Sequence, residues 1–290
     1  IKEGLQVDLR VVEDESYGAA LAYFTGSKEH NIRLREMAVK KGLKINEYGI
    51  FKEKDNKKLG GKDEEDIYRI LGLQYVFPEL REDRGEIEAA QKNDLPRPVE
   101  LGDIKGDLHV HTRQSDGSHT LEELIDAARE RGYEYIAITD HSKGLGIARG
   151  LSEERLLEEK KEVDALNKKL RGVKLLMGIE VDIRSDGRMD FDDAILSKMD
   201  IVVASIHSGF RQPEEQLTGR IVSAMKNPYV SIIAHPTGRL IGERDAYEID
   251  MEQVLNMASE TGTALEINAY PLRLDLSDVY VKTAKELGVK

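Results

Sequence analysis

Cysteine and tryptophan are missing from this 290-residue chain, and phenylalanine appears only five times. The lack of cysteine excludes disulfides, thiolate zinc sites and iron–sulfur clusters, and it fits a reducing compartment. Any bound metal must therefore sit on nitrogen and oxygen. Long apolar runs are missing too. None approaches the roughly 20 residues of a membrane span, and no signal-like pattern opens the chain. A cytoplasmic protein with no membrane partner is the expectation. Positive charge is in deficit, with 43 Lys and Arg against 55 Asp and Glu, for a net charge of −12. Over the whole chain, that balance argues against bulk attraction to nucleic acid. The length allows one large domain or two ordinary ones. Nothing in the pattern fixes an oligomeric state.

What is present divides near residue 100. The stretch REDRGEIEAAQKNDLPRPVELGD (81–103) is charged, carries two prolines and has little periodicity, so it reads as a linker. Residues 1–82 and 104–290 are then the two folded parts. In the first, LQVDLRVV alternates like a strand. GAALAYFTGSKEHNIRLREMAVKKG reads as helix, turn and helix, and EEDIYRILGL as a short helix. This part is a small α+β piece.

In the second part, apolar strand-like runs alternate with amphipathic helical runs. The strands are DLHVH, YEYIAITDH, VKLLMGIEVDI, DIVVASIHS, YVSIIAHP and TALEINAY. The first helix, TLEELIDAARERG, opens on Thr120 with Glu123 three residues on, the pattern of a capping box. Such alternation predicts an α/β fold with a parallel sheet and crossover helices, and so many strands favour a barrel.

Histidine is scarce, seven in all, yet three of the seven fall in GDLHVHTRQSDGSH (106–119). His109 and His111 end the first strand of the second part, two apart and so on one face. Asp140 and His141 end the next, Glu180 and Asp182 the third, His207 the fourth and His235 the fifth. In a parallel barrel all those ends lie on one edge, where barrel enzymes assemble their sites. Asp140 is expected to orient His141, and Asp182 to support a ligand or cap a turn. His119, just before a helix start, reads as a solvated loop residue, and His30 lies in the other part. Nitrogen and oxygen ligands in this mix suit zinc, manganese or iron(II), and more than four ligands imply more than one ion. The chemistry indicated is metal-assisted hydrolysis, above all of a phosphoester.

HVHTRQSDG, ITDHS, GIEVDI, ASIHSGF and IAHPTGR, in this order, resemble the PHP (polymerase and histidinol phosphatase) family over residues 103–290. The resemblance implies a distorted barrel of seven strands, (β/α)7, with up to three metal ions. It also implies His109, His111, Asp116, His141, Glu180, His207 and His235 as ligands, Glu180 bridging two ions. The family closes its site with a later Asp-x-His that this chain does not reach, so an incomplete centre is expected. The chain begins at Ile1 and stops at Lys290 after a helix-like stretch, and both ends are expected to be cut.

The first part resembles something else. YFTGSKEHNIRLREMAVKKGLKINEYGIF and EEDIYRILGLQYVFPELRE are similar to the palm end and thumb of family X DNA polymerases. This implies gap-filling nucleotide transfer in DNA repair, from deoxynucleoside triphosphates with magnesium or manganese, on gapped or nicked DNA. The PHP part would add 3′–5′ exonuclease or related end trimming. By position Asp8 matches the third palm carboxylate, the other two being expected upstream, so the chain alone is expected not to polymerise. Tyr23, Phe24 and Gly26 match a sugar-contacting turn, and Asn31 and Arg35 match residues that touch the nascent pair and template. Lys40 and Lys41 belong with Lys28, Arg33, Arg35 and Lys44 to a local basic run suited to phosphates. The rival readings are a small-molecule phosphatase of the histidinol-phosphate type and a non-catalytic DNA-binding module.

Overall fold

A computed structural model describes residues 6–290, which divide into two compact units between Glu100 and Leu101. The first unit contains α1 (Tyr17–Thr25), α2 (Lys28–Lys40), β1 (Leu43–Asn46), β2 (Gly49–Lys52), β3 (Lys58–Gly60), α3 (Glu65–Leu71) and α4 (Glu86–Lys92). Helix α2 starts where Ser27 Oγ accepts the His30 N–H at 3.2 Å, relieving one of the unpaired donors of the first turn. The three strands form an antiparallel sheet in the order β1-β2-β3. Ala19, Leu34, Ala38, Ile50, Ile67 and Leu71 make the centre of its core. Gly18 lets α1 sit directly on the Asp63–Glu64 backbone, where any side chain would collide.

Two sequence expectations fail here. The strand expected at LQVDLRVV is absent over residues 6–12, of which 6–11 are exposed and Val12 half-buried, and which pair with no strand among the described residues; residue 5 lies outside the described residues. Alternation alone cannot make a strand without a neighbour to satisfy its ladder. The stretch expected as a linker is also only partly one. Residues 86–92 form α4, and its Ile87 and Ala90 are buried in the core of the first unit.

The second unit contains β4 (Gly106–Val110), α5 (Leu121–Glu130), β5 (Tyr135–Ile138), α6 (Glu153–Asn167), β6 (Lys174–Asp182), α7 (Asp193–Leu196), β7 (Ile201–Ser205), α8 (Glu214–Met225), β8 (Ile232–Ile233), α9 (Met251–Thr261), β9 (Ala264–Leu265) and α10 (Asp278–Glu286). The strands pair in parallel in sequence order, β4-β5-β6-β7-β8-β9, with a helix in every crossover. Helix α5 opens on the capping box of Thr120 and Glu123. This is an α/β fold with a curled half-barrel sheet, as the alternating pattern predicts. Among the described residues six strands form, and no ladder joins β9 to β4.

Strand alternation sorts the sheet into two faces. Ile136, Ile138, Met177, Ile179, Val202 and Ala204 pack in the large core with the helices. Ala137, Val203, Ile232 and Ala234 pack on the other side, the inside of the curl. Each fully buried side chain of this size contributes about 1.5–3 kcal/mol. Glu180 lies between Ile179 and Val181 on β6, so it points inward, near the strand's C-terminal end.

Candidate metal centre

The sequential parallel winding brings the C-terminal ends of all six strands to one edge, and there five imidazoles meet one carboxylate. Glu180 is only 1% exposed. Its Oε2 lies 2.8 Å from His141 Nδ1, 3.3 Å from His109 Nε2 and 3.5 Å from His111 Nε2. Its Oε1 lies 3.0 Å from His235 Nε2 and 3.3 Å from His207 Nε2. Asp116, on the turn after β4, reaches His141 Nε2 at 3.4 Å and His111 Nδ1 at 3.7 Å. All seven residues anticipated from the strand ends and the family motif are thus brought together. His235 adopts a φ of +29°, a conformation that L residues rarely occupy, which points to a position held by its surroundings.

The electrostatics are those of a crowded cationic pocket around one acid. Burial would push the Glu180 carboxyl up, but the charges of His109 and His207 hold it well below the usual carboxylate range. Burial also opposes charge on His109 and His207. Glu180 outweighs it in both, raising His109 well above the ordinary imidazole value and His207 to about 9. His111 is pushed down to about 4 by burial and by the charges of His109 and His141. Four ring nitrogens, His109 Nε2, His111 Nδ1, His141 Nδ1 and His235 Nδ1, are buried without a hydrogen-bond partner. His141 Nδ1 sits close to Glu180 but is not aligned for a bond. Buried ring nitrogens without a hydrogen-bond partner are costly in a metal-free protein, and once deprotonated they are what a cation satisfies. Three overlapping ligand groups fit an ion: His109, His111 and Glu180; His111, Asp116 and His141; and His141, Glu180 and His207.

Around these lie supporting residues, some of them unanticipated. Glu266, directly after β9, lies 2.6 Å from His109 Nδ1 and accepts the His235 N–H at 2.6 Å. Its strand, TALEINAY, shows only a lone glutamate in an apolar run, a weak signal at best. Asp182 accepts the His207 N–H at 3.2 Å, a supporting position as expected. Asp140 does not orient His141. It accepts from Thr112 N at 2.8 Å, from Thr112 Oγ1 at 2.5 Å and from Ser115 Oγ. Neighbouring residues on a strand point to opposite faces, so the acid beside His141 turns away from the ring. Buried Glu159 of α6 lies beside Asp140, with Oε1 3.3 Å from Thr112 Oγ1. Burial and the Asp140 charge push its carboxyl up to about 9, so it carries a proton at neutral pH.

His119 is exposed, as expected of a loop residue. His30 is fully buried in the first unit, 2.7 Å from Glu86 and 3.0 Å from Tyr68 OH, and belongs to no metal-ligand group among the described residues.

The polymerase-like residues gather at the α1–α2 turn. Tyr23 and Phe24 are exposed and meet edge to face, and Arg10 lies over the Phe24 ring. Gly26 takes a φ of +77° in the turn. Asn31 Nδ2 donates to Tyr23 O at 2.9 Å, and Arg35 Nε to Asn31 O at 3.2 Å. Lys40 and Lys41 are exposed at the far end of α2. Arg33 is less available than the sequence implies, being engaged by Glu88, Asp83 and Glu36. Asp8 is exposed and accepts from Gln6 at 3.2 Å.

A winding of parallel strands whose ends carry a histidine and carboxylate cluster is the architecture of a PHP domain, and the chain belongs to that family, the PHP domain model matching residues 107–270. Residues 20–82 match the DNA polymerase beta thumb. The chain is 46% identical, over 98% of its length, to the DNA polymerase/3′-5′ exonuclease PolX of Bacillus subtilis (strain 168), and spans 49% of that relative. It is 35% identical to a probable phosphatase of Thermoanaerobacter sp. (strain X514), over 63% of this chain and 75% of that relative. Among solved structures, a histidinol phosphate phosphatase of Lactococcus lactis, complexed with zinc, L-histidinol and phosphate, covers 64% of this chain and 82% of its own at 19% identity and a TM-score of 0.46.

Proposed function

We propose that the PHP unit is a metal-dependent phosphoesterase that trims DNA 3′ ends, and that the thumb unit holds the DNA, as parts of a family X repair polymerase. The observation that carries the reading is the convergence of five imidazoles on the buried Glu180 carboxylate. Bound divalent ions supply hydroxide at neutral pH and offset charge on a phosphoester. His109, His111, Asp116, His141, Glu180, His207 and His235 would hold them, Glu180 being shared by two of the ligand groups. Zinc, manganese and iron(II) suit this donor set. Glu266 keeps the His109 proton on Nδ1, leaving Nε2 free to coordinate, and Asp182 fixes the His207 backbone. In the thumb, Tyr23, Phe24, Gly26, Asn31, Arg35, Lys40 and Lys41 contact gapped or nicked DNA. Asp8 belongs to the nucleotidyl-transfer site, which takes deoxynucleoside triphosphates with magnesium or manganese.

The thumb match favours DNA over a small phosphomonoester, since a stand-alone phosphatase has no use for it. Incubation with manganese and a gapped duplex labelled at the primer 5′ end tests the choice. Stepwise primer shortening, abolished in Glu180→Ala, is expected. Release of phosphate from histidinol phosphate with no shortening of the primer would overturn the DNA reading.

A further inference from the structure

The turn after β4 carries two of the ligand residues, and it is held from behind by α6. Thr112 O accepts the Ser115 N–H at 3.2 Å and the Gly117 N–H at 2.9 Å, which closes the turn. Gly117 sits so tightly on the His111 and Thr112 carbonyls that any side chain would collide with them. Two residues of α6, one helical turn apart, reach this turn. Arg155 Nη2 donates to Gln114 O at 2.6 Å, and Glu159 meets Thr112 Oγ1 at 3.3 Å.

Beside Glu159 and the turn lies Asp140, wholly buried, with neutral donors from Thr112 and Ser115. Its carboxylate accepts the backbone N–H and hydroxyl of Thr112 and the hydroxyl of Ser115. Thr112 has one hydroxyl proton, and the 2.5 Å bond commits it to Asp140. The contact between Thr112 and Glu159 then needs a proton from the glutamic acid. A neutral Glu159 supplies it, and an ionised one would face Asp140 as a second buried, unpaired charge.

From this geometry we infer that Glu159 and Thr112 are positioning residues that, through Asp140, set the turn bearing His111 and Asp116 and so govern one ion position selectively. That position is the group of His111, Asp116 and His141. Asp116 is its most exposed member, its side chain 48% accessible, and only the turn aims it at the two rings. Asp116 belongs to that group alone; the group of His141, Glu180 and His207 leans on Asp182 instead, and the group of His109, His111 and Glu180 takes His111 from the end of β4 and has Glu266 behind His109. The inference rests on the metal-centre reading above.

Equilibrium dialysis of the chain against manganese, with bound metal counted at each free concentration, tests it. Asp116→Asn provides the reference pattern for weakening this position alone. Thr112→Val keeps the shape and removes the hydroxyl, and Glu159→Leu removes the proton donor. Both should weaken one class of ion by roughly 10- to 100-fold, the usual effect of losing a group that supports a ligand, and leave the rest unchanged. Glu159→Gln still donates through its amide and should bind as the unaltered chain does. Should Glu159→Leu fail to fold, Thr112→Val against Glu159→Gln decides. Uniform weakening of all ions, no weakening, or equal damage from Glu159→Gln would overturn the inference. An unaltered chain that takes up no manganese would overturn the metal reading itself, and the inference with it.

Discussion

Glu266 Oε1 lies 2.6 Å from His109 Nδ1, while Oε2 of the same carboxylate accepts the His235 N–H at 2.6 Å. One acid thus fixes a ring from the first barrel strand and the backbone after the fifth. A glutamine has one acceptor oxygen and cannot serve both. Glu266→Gln is expected to weaken manganese binding by roughly 10- to 100-fold with the fold intact. Isothermal titration calorimetry checks this, and an unchanged affinity would show that the His109 ring needs no partner.

Glu180 touches all five imidazoles, so Glu180→Ala should do more damage than the loss of any one of them. Metal content is expected to fall to background. In the metal-free protein, His207 should titrate well below the value of about 9 that Glu180 imposes. The sign follows from the charge: the carboxylate favours the protonated ring, and its removal leaves burial to disfavour it. In the unaltered chain that proton must leave before the ring can coordinate. Apparent metal affinity should therefore rise with pH up to about 9 and proton release should accompany binding. Histidine NMR titration of both proteins is the check, and an unmoved His207 would contradict the assignment.

Much of this was legible in the sequence because strand ends are legible. An apolar run that stops at a histidine places that histidine on the edge of a parallel sheet, and His141, His207 and His235 followed from that alone. The remainder needed three dimensions. The role of Asp140 depends on which face a side chain takes, and adjacency to His141 was misleading. Glu266 and Glu159 matter for what they touch across the chain, and no spacing encodes that. The seven residues of α4 are too short for periodicity to show, so charge and proline hid a helix. At residues 6–12 the alternation was real, but a strand needs a partner.

In the thumb unit, His30 and Glu86 form a buried pair whose charges respond to acid in the same sense. Burial lowers the His30 pKa below 6.5 more than Glu86 raises it, so the folded ring stays neutral. The unfolded ring protonates first, and stability falls as pH drops below about 6.5. Burial would raise Glu86, but His30 and the Arg84 and Asp83 N–H groups hold it below its ordinary value. Its contribution, present above about pH 4.5, is lost as pH falls further. His30→Gln should flatten the fall in thermal stability of this unit between pH 7 and 5.5. A protonated His30 ring at pH 7, seen by NMR, would refute the neutral assignment.

The division of labour between units is testable by salt. Each phosphate contact releases counterions, so DNA affinity should fall steeply with ionic strength, and Arg35→Ala or Lys40→Ala should lower that slope by about one unit per lost contact. His109→Ala should leave affinity for gapped DNA nearly intact while abolishing hydrolysis. Equal loss of affinity in His109→Ala and Arg35→Ala would make the metal edge the main DNA surface.

Strand β6 runs for nine residues between two paired neighbours, whereas β8 and β9 offer only two residues each. Amide exchange should accordingly be slowest around Met177–Val181 and fastest near His235 and Glu266. Glu180 sits on the last part of the barrel to open, and His235 and Glu266 flank the first. Transient opening therefore loosens His235 on the Oε1 side of the carboxylate and frees His109 from Glu266, while His111 and His141 on the Oε2 side, backed by the longer β4 and β5, stay in place. An ion on the Oε1 side should exchange with solvent without the barrel unfolding, on a timescale set by two short strands.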